Sequence, residues 1–153
     1  MHKNAQAVQD ALRTAGSPAD VVELVDSTRT SAEAAAALGV EVGQIAKSLV
    51  FVADGVPVVV VLCGSDRLDT EKLGRHLGAR AVTRADADTV RSATGFPIGG
   101  VSPVGHTARV VVDRGLGRYD VVWAAAGTPN AVFPTSFEEL VAVAGADVAD
   151  VRA

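Results

Sequence analysis

The stretch SLVFVADGVPVVVVLCG, residues 48–64, decides the fold of this 153-residue chain. It contains two apolar, β-rich runs that are separated by Asp54 and Gly55. An Asp-Gly pair between two such runs is a strong signal for a tight β-hairpin. The continuous valines of the second run predict a strand that is buried on both faces, in the middle of a sheet.

Helices are predicted on both sides of this hairpin. Apolar residues recur at helical spacing over residues 3–15, and Gly16 ends that segment. Four further helices are predicted by capping residues at their start and glycines at their end. They begin at Thr30, Asp69, Asp86 and Ser136, and a helical turn is also expected around residues 42–46.

Short strands are predicted between these helices. The segments that indicate them are DVVELV (20–25), ARAVTRA (79–85), ARVVVDRGL (108–116), YDVVWAAAG (119–127) and AVF (131–133). Several strands are joined by turns too short for a parallel crossover. The pattern therefore predicts a single α+β domain, residues 1–153, with helices around a mixed, largely antiparallel sheet.

Composition narrows the class of protein. Hydrophobic residues make up 48% of the chain, which predicts a folded globule, and the formal net charge of −4 argues against nucleic-acid binding through bulk charge. A small basic face stays open: residues 65–91 carry six basic and five acidic side chains, a balance that a solvated mixed surface explains equally well. No apolar run is long enough to span a membrane, so no membrane contact is expected.

The cytoplasm is the expected location, because the start of the chain does not resemble a secretory signal and Cys63 stands alone. Cys63 lies in an apolar run, where a buried inert thiol is expected rather than a nucleophile. The three histidines are scattered, so neither a metal site nor a cofactor is predicted.

The first candidate site is the segment FPIGGVSPVGH, residues 96–106, which is rich in glycine and proline. Gly99 and Gly100 allow a ligand to approach the backbone closely, and Pro103 stiffens the exit of the loop. Backbone N–H groups in such a loop suit a carbonyl oxygen that gains negative charge, or a phosphate. The alternative is a tight turn between a helix and a strand, and spacing alone favours that turn.

Lys47 is the second candidate. It is one of three lysines, and it lies in QIAKSLVFV, at the entry to an apolar strand. Its ammonium group either extends to water or points into a cleft, where it can hold a phosphate or a carbonyl. Partial desolvation in a cleft could also lower its pKa toward the range of a general base.

The turn at residues 127–130 is the third candidate, since Gly127 permits close approach and Thr128 offers a hydroxyl. His106 is either a group that titrates near neutral pH or a structural histidine. Ser102 lacks the context of a nucleophilic serine. Asp113 is either a turn residue or a site acid, and spacing does not decide between them.

Four segments together resemble the YbaK-type aminoacyl-tRNA deacylases, a family that includes freestanding relatives of the prolyl-tRNA synthetase editing domain. The segments are QIAKSLVFV, GSDRLDTEKLGRHLGA, TGFPIGGVSPVGH and VWAAAGTPNAVF, and the resemblance runs from about Thr30 to Val151. It implies an α+β fold with a mixed, barrel-like sheet. It also implies hydrolysis of the aminoacyl ester of a mischarged tRNA, without a cofactor or a metal.

The resemblance also implies the site residues. Lys47 matches the lysine of the family, and Gly99 to Pro103 match its G-x-x-x-P loop. Lys47, Gly99 and Gly100 are accordingly the expected catalytic groups. The expected substrate-binding residues are Val101, Ser102, Pro103, His106, Gly127 and Thr128.

The water-activating group stays open among a backbone carbonyl, the ribose hydroxyl and His106. Small amino acids such as Ala, Ser, Thr or Cys are plausible targets, because a pocket discriminates by size. The expected partner is the acceptor end of an aminoacyl-tRNA, while contact with a synthetase or an elongation factor is conjecture. The alternatives are a non-catalytic module that binds the acylated CCA end and a hydrolase of other small acyl esters.

Overall fold

The structure is a computed structural model that describes every residue from Met1 to Ala153. Its central hairpin consists of β2 (Ile45–Ala53) and β3 (Val56–Cys63), which pair antiparallel over their whole length. Asp54 and Gly55 form the turn with φ angles of 48° and 83°, as a two-residue turn with left-handed backbone requires. The hairpin prediction is confirmed.

Six further strands complete one mixed sheet: β1 (Val22–Glu23), β4 (Val82–Arg84), β5 (Arg109–Asp113), β6 (Val122–Ala125), β7 (Ala131–Thr135) and β8 (Asp147–Ala149). The strand order is β1-β7-β6-β2-β3-β5-β8, with β4 paired to β2. Four of the seven strand pairings are antiparallel, and three (β2–β6, β3–β5 and β5–β8) are parallel. The predicted α+β class with a mixed sheet is confirmed.

Two strand predictions need refinement. Of DVVELV, only Val22 and Glu23 pair with β7. The segment RGLGR does join β5 to β6, but it forms a 3-10 helix, Arg114–Arg118, and the two strands are not neighbours in the sheet.

The five predicted helices are present. They are α1 (Lys3–Thr14), α2 (Ser31–Leu38), α3 (Thr70–Leu77), α4 (Ala87–Thr94) and α5 (Phe137–Ala144), and a 3-10 turn covers Val42–Gln44. The side chains of the four predicted capping residues accept hydrogen bonds from backbone amides in the first turns of α2 to α5. A left-handed glycine follows each of these helices, as expected. None of the helices combines the length and the apolar character that a membrane span needs.

The core lies on both faces of the hairpin. Val58, Val59, Val60 and Val61 are each at most 2% exposed, and they alternate between two apolar clusters. One cluster lies against α1, α4 and α5, and the other lies against α3. The predicted burial of this strand on both faces is confirmed.

Candidate active site

A cavity of about 250 Å³ lies beside the first half of β2. Its walls come from β2, from β6 and β7, from the chain that leads into α2, from the end of β4 and from the loop after α4. Lys47, Gly99 and Val101 all line it. The structure therefore brings together the two distant segments that the sequence singled out.

Lys47 is half-buried on β2, and the turn after β3 holds its side chain. Its Nζ donates to the carbonyl oxygen of Asp66 at 2.5 Å and reaches that of Gly64 at 3.5 Å. Partial burial is the main cause that lowers the pKa of Lys47, while the negative charge of Asp66 opposes this shift and the positive charge of Arg84 adds to it. An ammonium that donates to carbonyls acts as a fixed cation in the cavity wall, not as a base.

Several amides of the glycine loop after α4 have no hydrogen-bond partner, among them those of Ile98, Gly99, Val101 and Ser102. The N–H of Gly100 donates to the carbonyl oxygen of Pro97 at 2.9 Å, so this amide is already used. The amides of Gly99 and Val101, on either side of it, have no hydrogen-bond partner within the protein. Unpaired backbone donors next to a cavity are available to a ligand oxygen.

Gly100 has a packing role instead. A Cβ at this position would lie 2.8 Å from the carbonyl carbon of Thr128 and 2.9 Å from its Cα. The loop therefore rests directly on the turn at residues 127–130. A hydrogen bond also connects this turn to α1, because Asn4 Nδ2 donates to the carbonyl oxygen of Gly127 at 3.0 Å.

Gly127 and Thr128 lie behind the cavity wall and do not line the cavity. Thr128 is buried, and its hydroxyl donates to Asn130 Oδ1 at 3.0 Å. The same turn fixes the chain before α2, since the amide and hydroxyl of Thr28 both donate to the carbonyl oxygen of Pro129. The turn thus supports two walls of the cavity at once.

Ser102, Pro103 and His106 also lie outside the cavity lining. Ser102 and Pro103 are buried, and Ser102 Oγ accepts a hydrogen bond from the amide of Val104 at 3.1 Å. His106 Nε2 donates to the carbonyl oxygen of Ser102 at 3.0 Å, and its Nδ1 accepts from the amide of Ala108 at 3.2 Å. These hydrogen bonds hold the end of the loop, residues 102–108, in a fixed conformation.

The same geometry bears on the chemistry of His106. Burial lowers the pKa of His106, although its bond to the Ser102 carbonyl opposes the shift. Both ring nitrogens are engaged with the backbone, so neither is free to take a proton from water.

The role of Asp113 is structural. Its side chain is completely buried at the end of β5 and accepts hydrogen bonds from the amides of Gly115, Val151 and Arg152. It ties the end of the chain to the sheet and does not line the cavity. Cys63 is also completely buried, and burial raises the pKa of its thiol, which suits an inert core residue.

The cavity residues that the sequence reasoning missed include Arg29, Ser48, Arg84 and Trp123. The hydroxyl of Ser48 is buried and has no hydrogen-bond partner. Its position directly after Lys47, in an otherwise apolar strand, was the available signal. Arg29 and Arg84 gave no such signal, because an exposed arginine in a polar segment is ordinary.

No group of three or more His, Cys, Asp or Glu side chains lies close enough together to hold a metal ion. The only ionisable side chains in the cavity wall are those of Arg29, Lys47 and Arg84. The site can therefore position a ligand and stabilise negative charge, but it has no carboxylate or imidazole that could accept a proton.

The chain is similar in sequence and in fold to proteins that are already known. The pattern of the aminoacyl-tRNA editing domain matches residues 25–143, which is more than half of the chain. A crystal structure of a proposed trans-editing enzyme for prolyl-tRNA synthetase superposes with a TM-score of 0.93 and 46% sequence identity, and the match covers 100% of this chain and 99% of the other.

The chain is similar to most of one curated protein and to a short part of another, much longer one. The uncharacterized protein YwhH of Bacillus subtilis (strain 168) is 34% identical over 124 residues, which are 79% of this chain and 78% of YwhH. The proline–tRNA ligase of Geobacter sp. (strain M21) is 45% identical over 80 residues, which are 52% of this chain. That match spans only 14% of the ligase.

Proposed function

The chain belongs to the aminoacyl-tRNA editing domain family, and we propose that it is a trans-editing hydrolase of mischarged aminoacyl-tRNA. The observation that carries the proposal is the cavity in which Lys47 meets the unpaired backbone amides of Gly99 and Val101. The reaction is attack of water on the ester that joins an amino acid to the terminal ribose. Its products are the free amino acid and the uncharged tRNA.

The amides of Gly99 and Val101 are the proposed oxyanion donors. When water adds to the ester carbon, the carbonyl oxygen becomes negatively charged, and donors fixed in advance stabilise that charge. The amide of Gly100 is not assigned this role, because it donates to Pro97. When the tetrahedral intermediate collapses, the bond to the ribose oxygen breaks and that oxygen takes up a proton.

Lys47 supplies a fixed positive charge on the same cavity. Its two carbonyl contacts leave one N–H of the ammonium free for a substrate oxygen, either that of the ester or that of the terminal phosphate. The carbonyls of Gly64 and Asp66 act as positioning groups, since they set where the ammonium can point.

Water activation is left to the substrate or to the backbone. No side chain in the cavity wall can act as a base, and both nitrogens of His106 are engaged. The neighbouring hydroxyl of the terminal ribose and a backbone carbonyl are the remaining acceptors. A site of this kind obtains its rate from placement and charge stabilisation rather than from its own acid–base groups.

The cavity favours small amino acids. Its volume of about 250 Å³ is below the range of about 300 to 1,000 Å³ that is common for ligand pockets, and 12 of its 20 lining residues are hydrophobic. Ala, Ser, Thr and Cys are therefore the proposed acyl groups. Ser48 offers an unpaired hydroxyl to a polar group of the bound amino acid.

A deacylation assay on tRNAs charged with Ala, Ser, Thr, Cys and Phe tests the proposal. We expect ester loss above the buffer blank for at least one small amino acid, and Phe provides the comparison with a bulky one. Lys47→Ala should lower kcat/KM by about 100-fold or more, the usual effect of removing one fixed electrostatic group. Lys3→Ala is the matched control, because this substitution removes the same charge from a residue that lies outside the cavity.

Two results would contradict the proposal. If the protein binds charged tRNA but releases no amino acid above the blank, it is a binding module rather than an enzyme. If Lys47→Ala keeps the normal rate while the fluorescence of the single tryptophan, Trp123, reports an intact fold, the lysine has no part in the reaction.

A further inference from the structure

The charge in the cavity wall is the opposite of that of the whole protein. The chain has a formal net charge of −4, with 18 acidic residues. None of these acidic residues is among the 20 that line the cavity, whereas Arg29, Lys47 and Arg84 are. A surface with three positive charges and no negative charge, on an acidic protein, attracts an anionic ligand.

Arg29 and Arg84 are also free of acidic partners. Ion pairs elsewhere in the protein engage Arg13, Lys72, His76, Arg109, Arg118 and Arg152. Neither cavity arginine takes part in an ion pair or a hydrogen bond through its guanidinium group, and both are exposed. Since they are exposed and yet line the cavity, they lie at its mouth.

The backbone holds both arginines in place. Arg84 is the last residue of β4 and lies opposite Phe51 of β2. Arg29 follows Thr28, which is bonded to the turn at residues 127–130. The stem of Arg29 crosses Gly99 so closely that a Cβ at Gly99 would collide with its Cγ. A side chain whose stem is already packed loses less freedom when it binds a ligand.

We propose that Arg29 and Arg84 form a phosphate clamp at the mouth of the cavity, which binds the sugar–phosphate backbone of the nucleotides next to the esterified ribose. The choice of a nucleic acid as the ligand rests on the proposed function. The planar guanidinium forks of arginine match phosphate oxygens in pairs. The cavity itself is too small for a nucleotide and its amino acid together, so the phosphates must lie at the rim, where the arginines are.

Binding of an uncharged acceptor-stem minihelix that ends in CCA tests the clamp without any hydrolysis. Fluorescence anisotropy at several salt concentrations should compare the wild type with Arg29→Ala, Arg84→Ala and the double variant. We expect each single variant to bind about fivefold more weakly, and the slope of log K against log salt to fall by about 0.7 for each arginine. Arg75→Ala is the matched control, since Arg75 is also exposed and unpaired but lies outside this cavity.

A second experiment separates the clamp from the catalytic site. An aminoacyl-adenosine ester carries no phosphate, so the arginine variants should lose less kcat/KM with it than with aminoacylated minihelix, for which their KM should rise. If both arginine variants bind the minihelix as Arg75→Ala does, the clamp is wrong, whatever the deacylation assay shows. If binding depends on the arginines but no ester is cleaved, the clamp stands and the proposed hydrolase does not.

Competition identifies the source of the phosphate. The trinucleotide CCA should displace the minihelix at a lower concentration than AMP or inorganic phosphate does. Equal competition by all three would overturn the assignment to a nucleotide chain.

Discussion

The 3-10 segment after β5 and the loop after α4 are both irregular and rich in glycine, but they differ in how many of their polar groups have partners within the protein. In the first, Asp113 accepts three backbone amides, and Arg118 Nε donates to the carbonyl oxygen of Gly115 at 2.8 Å. Asp66 joins the same network by pairing with Arg118 and Arg152. The buried carboxylate of Asp113 and the guanidinium group of Arg118 therefore have partners within the protein.

The loop after α4 is hydrogen-bonded only in part. The side chains of Ser102 and His106 are bonded to the backbone, but the amide of the fully buried Ser102 has no partner. On the side of the cavity, the amides of Gly99 and Val101 have no partner, and neither do Ser48 Oγ and the guanidinium groups of the two cavity arginines.

This difference indicates which segment is structural and which binds a ligand. A buried polar group without a hydrogen bond destabilises the folded state by about 1 to 3 kcal/mol, so native proteins contain few of them. The hydroxyl of Ser48 and the amide of the buried Val101 both lie at the cavity, and a ligand that satisfies them when it is bound explains this. The guanidinium groups of Arg29 and Arg84 are exposed, so they carry no such cost. The comparison predicts that mutations in the two segments have different effects.

Asp113→Ala is expected to cause the largest loss of stability. It leaves the amides of Gly115, Val151 and Arg152 without their acceptor, and the free energy of unfolding should fall by about 3 to 5 kcal/mol. Urea denaturation followed by the fluorescence of Trp123 measures this. Asp120→Ala, which removes an equal charge from an exposed position, should change stability by less than about 0.5 kcal/mol.

The kinetic result for Asp113→Ala tests the comparison directly. Protein that remains folded should deacylate with the wild-type kcat, because Asp113 does not line the cavity. A fall in kcat at full stability would place Asp113 in the reaction and remove the distinction between the two segments.

The sequence predicted most of the local structure, because local structure depends on residues close together in the chain. The Asp54-Gly55 turn needs only its two strands, and the cap of α2 needs only Thr30 and the amide of Glu33. Strand order is different, since the parallel pairing of β3 with β5 joins segments separated by two helices. No local pattern specifies that choice.

The candidate site, like the strand order, could be predicted from the sequence only in part. Lys47 and the glycine loop could be singled out because each has a local oddity, but their meeting at one cavity depends on the tertiary fold. The role of Asp113 could not be decided from spacing, because two of its three partners lie 38 and 39 residues further along the chain. Arg29 and Arg84 differ from other exposed arginines only in what surrounds them.

Gly100→Ala should have the next largest effect, and it should act on both stability and turnover. The new Cβ would lie 2.8 to 2.9 Å from the backbone of Thr128, which cannot rotate away, so the loop must shift. We expect a loss of about 1 to 3 kcal/mol of stability. A drop in kcat should accompany it, because the shift displaces the amides of Gly99 and Val101.

Gly145→Ala is the control for that substitution. Gly145 has a φ of 58° and open space around its missing Cβ, so alanine there introduces only backbone strain of about 1 kcal/mol. Its kcat should not change. If Gly100→Ala loses stability but keeps the wild-type kcat, the position of the loop amides does not matter for the reaction.

A pair of serine substitutions gives the sharpest test of the comparison, and one of the pair, Ser48→Ala, has the smallest expected effect on stability. Ser102→Ala removes the acceptor of the buried Val104 amide and should lower stability by about 1 to 3 kcal/mol. Ser48→Ala removes a buried hydroxyl that has no partner, so stability should stay the same or rise by up to about 1 kcal/mol. Because both substitutions remove one oxygen, the difference between them isolates the hydrogen bond.

The functional effect should run in the opposite direction. If the hydroxyl of Ser48 binds the amino acid, Ser48→Ala should raise KM for a seryl or threonyl ester more than for an alanyl ester, which has no side-chain hydroxyl to bind. Thermal denaturation and deacylation kinetics on the same preparations measure both effects. A loss of stability in Ser48→Ala as large as that in Ser102→Ala would show that the Ser48 hydroxyl is already satisfied in the free protein, and an unpaired group on the cavity side could then no longer be taken as the mark of a ligand.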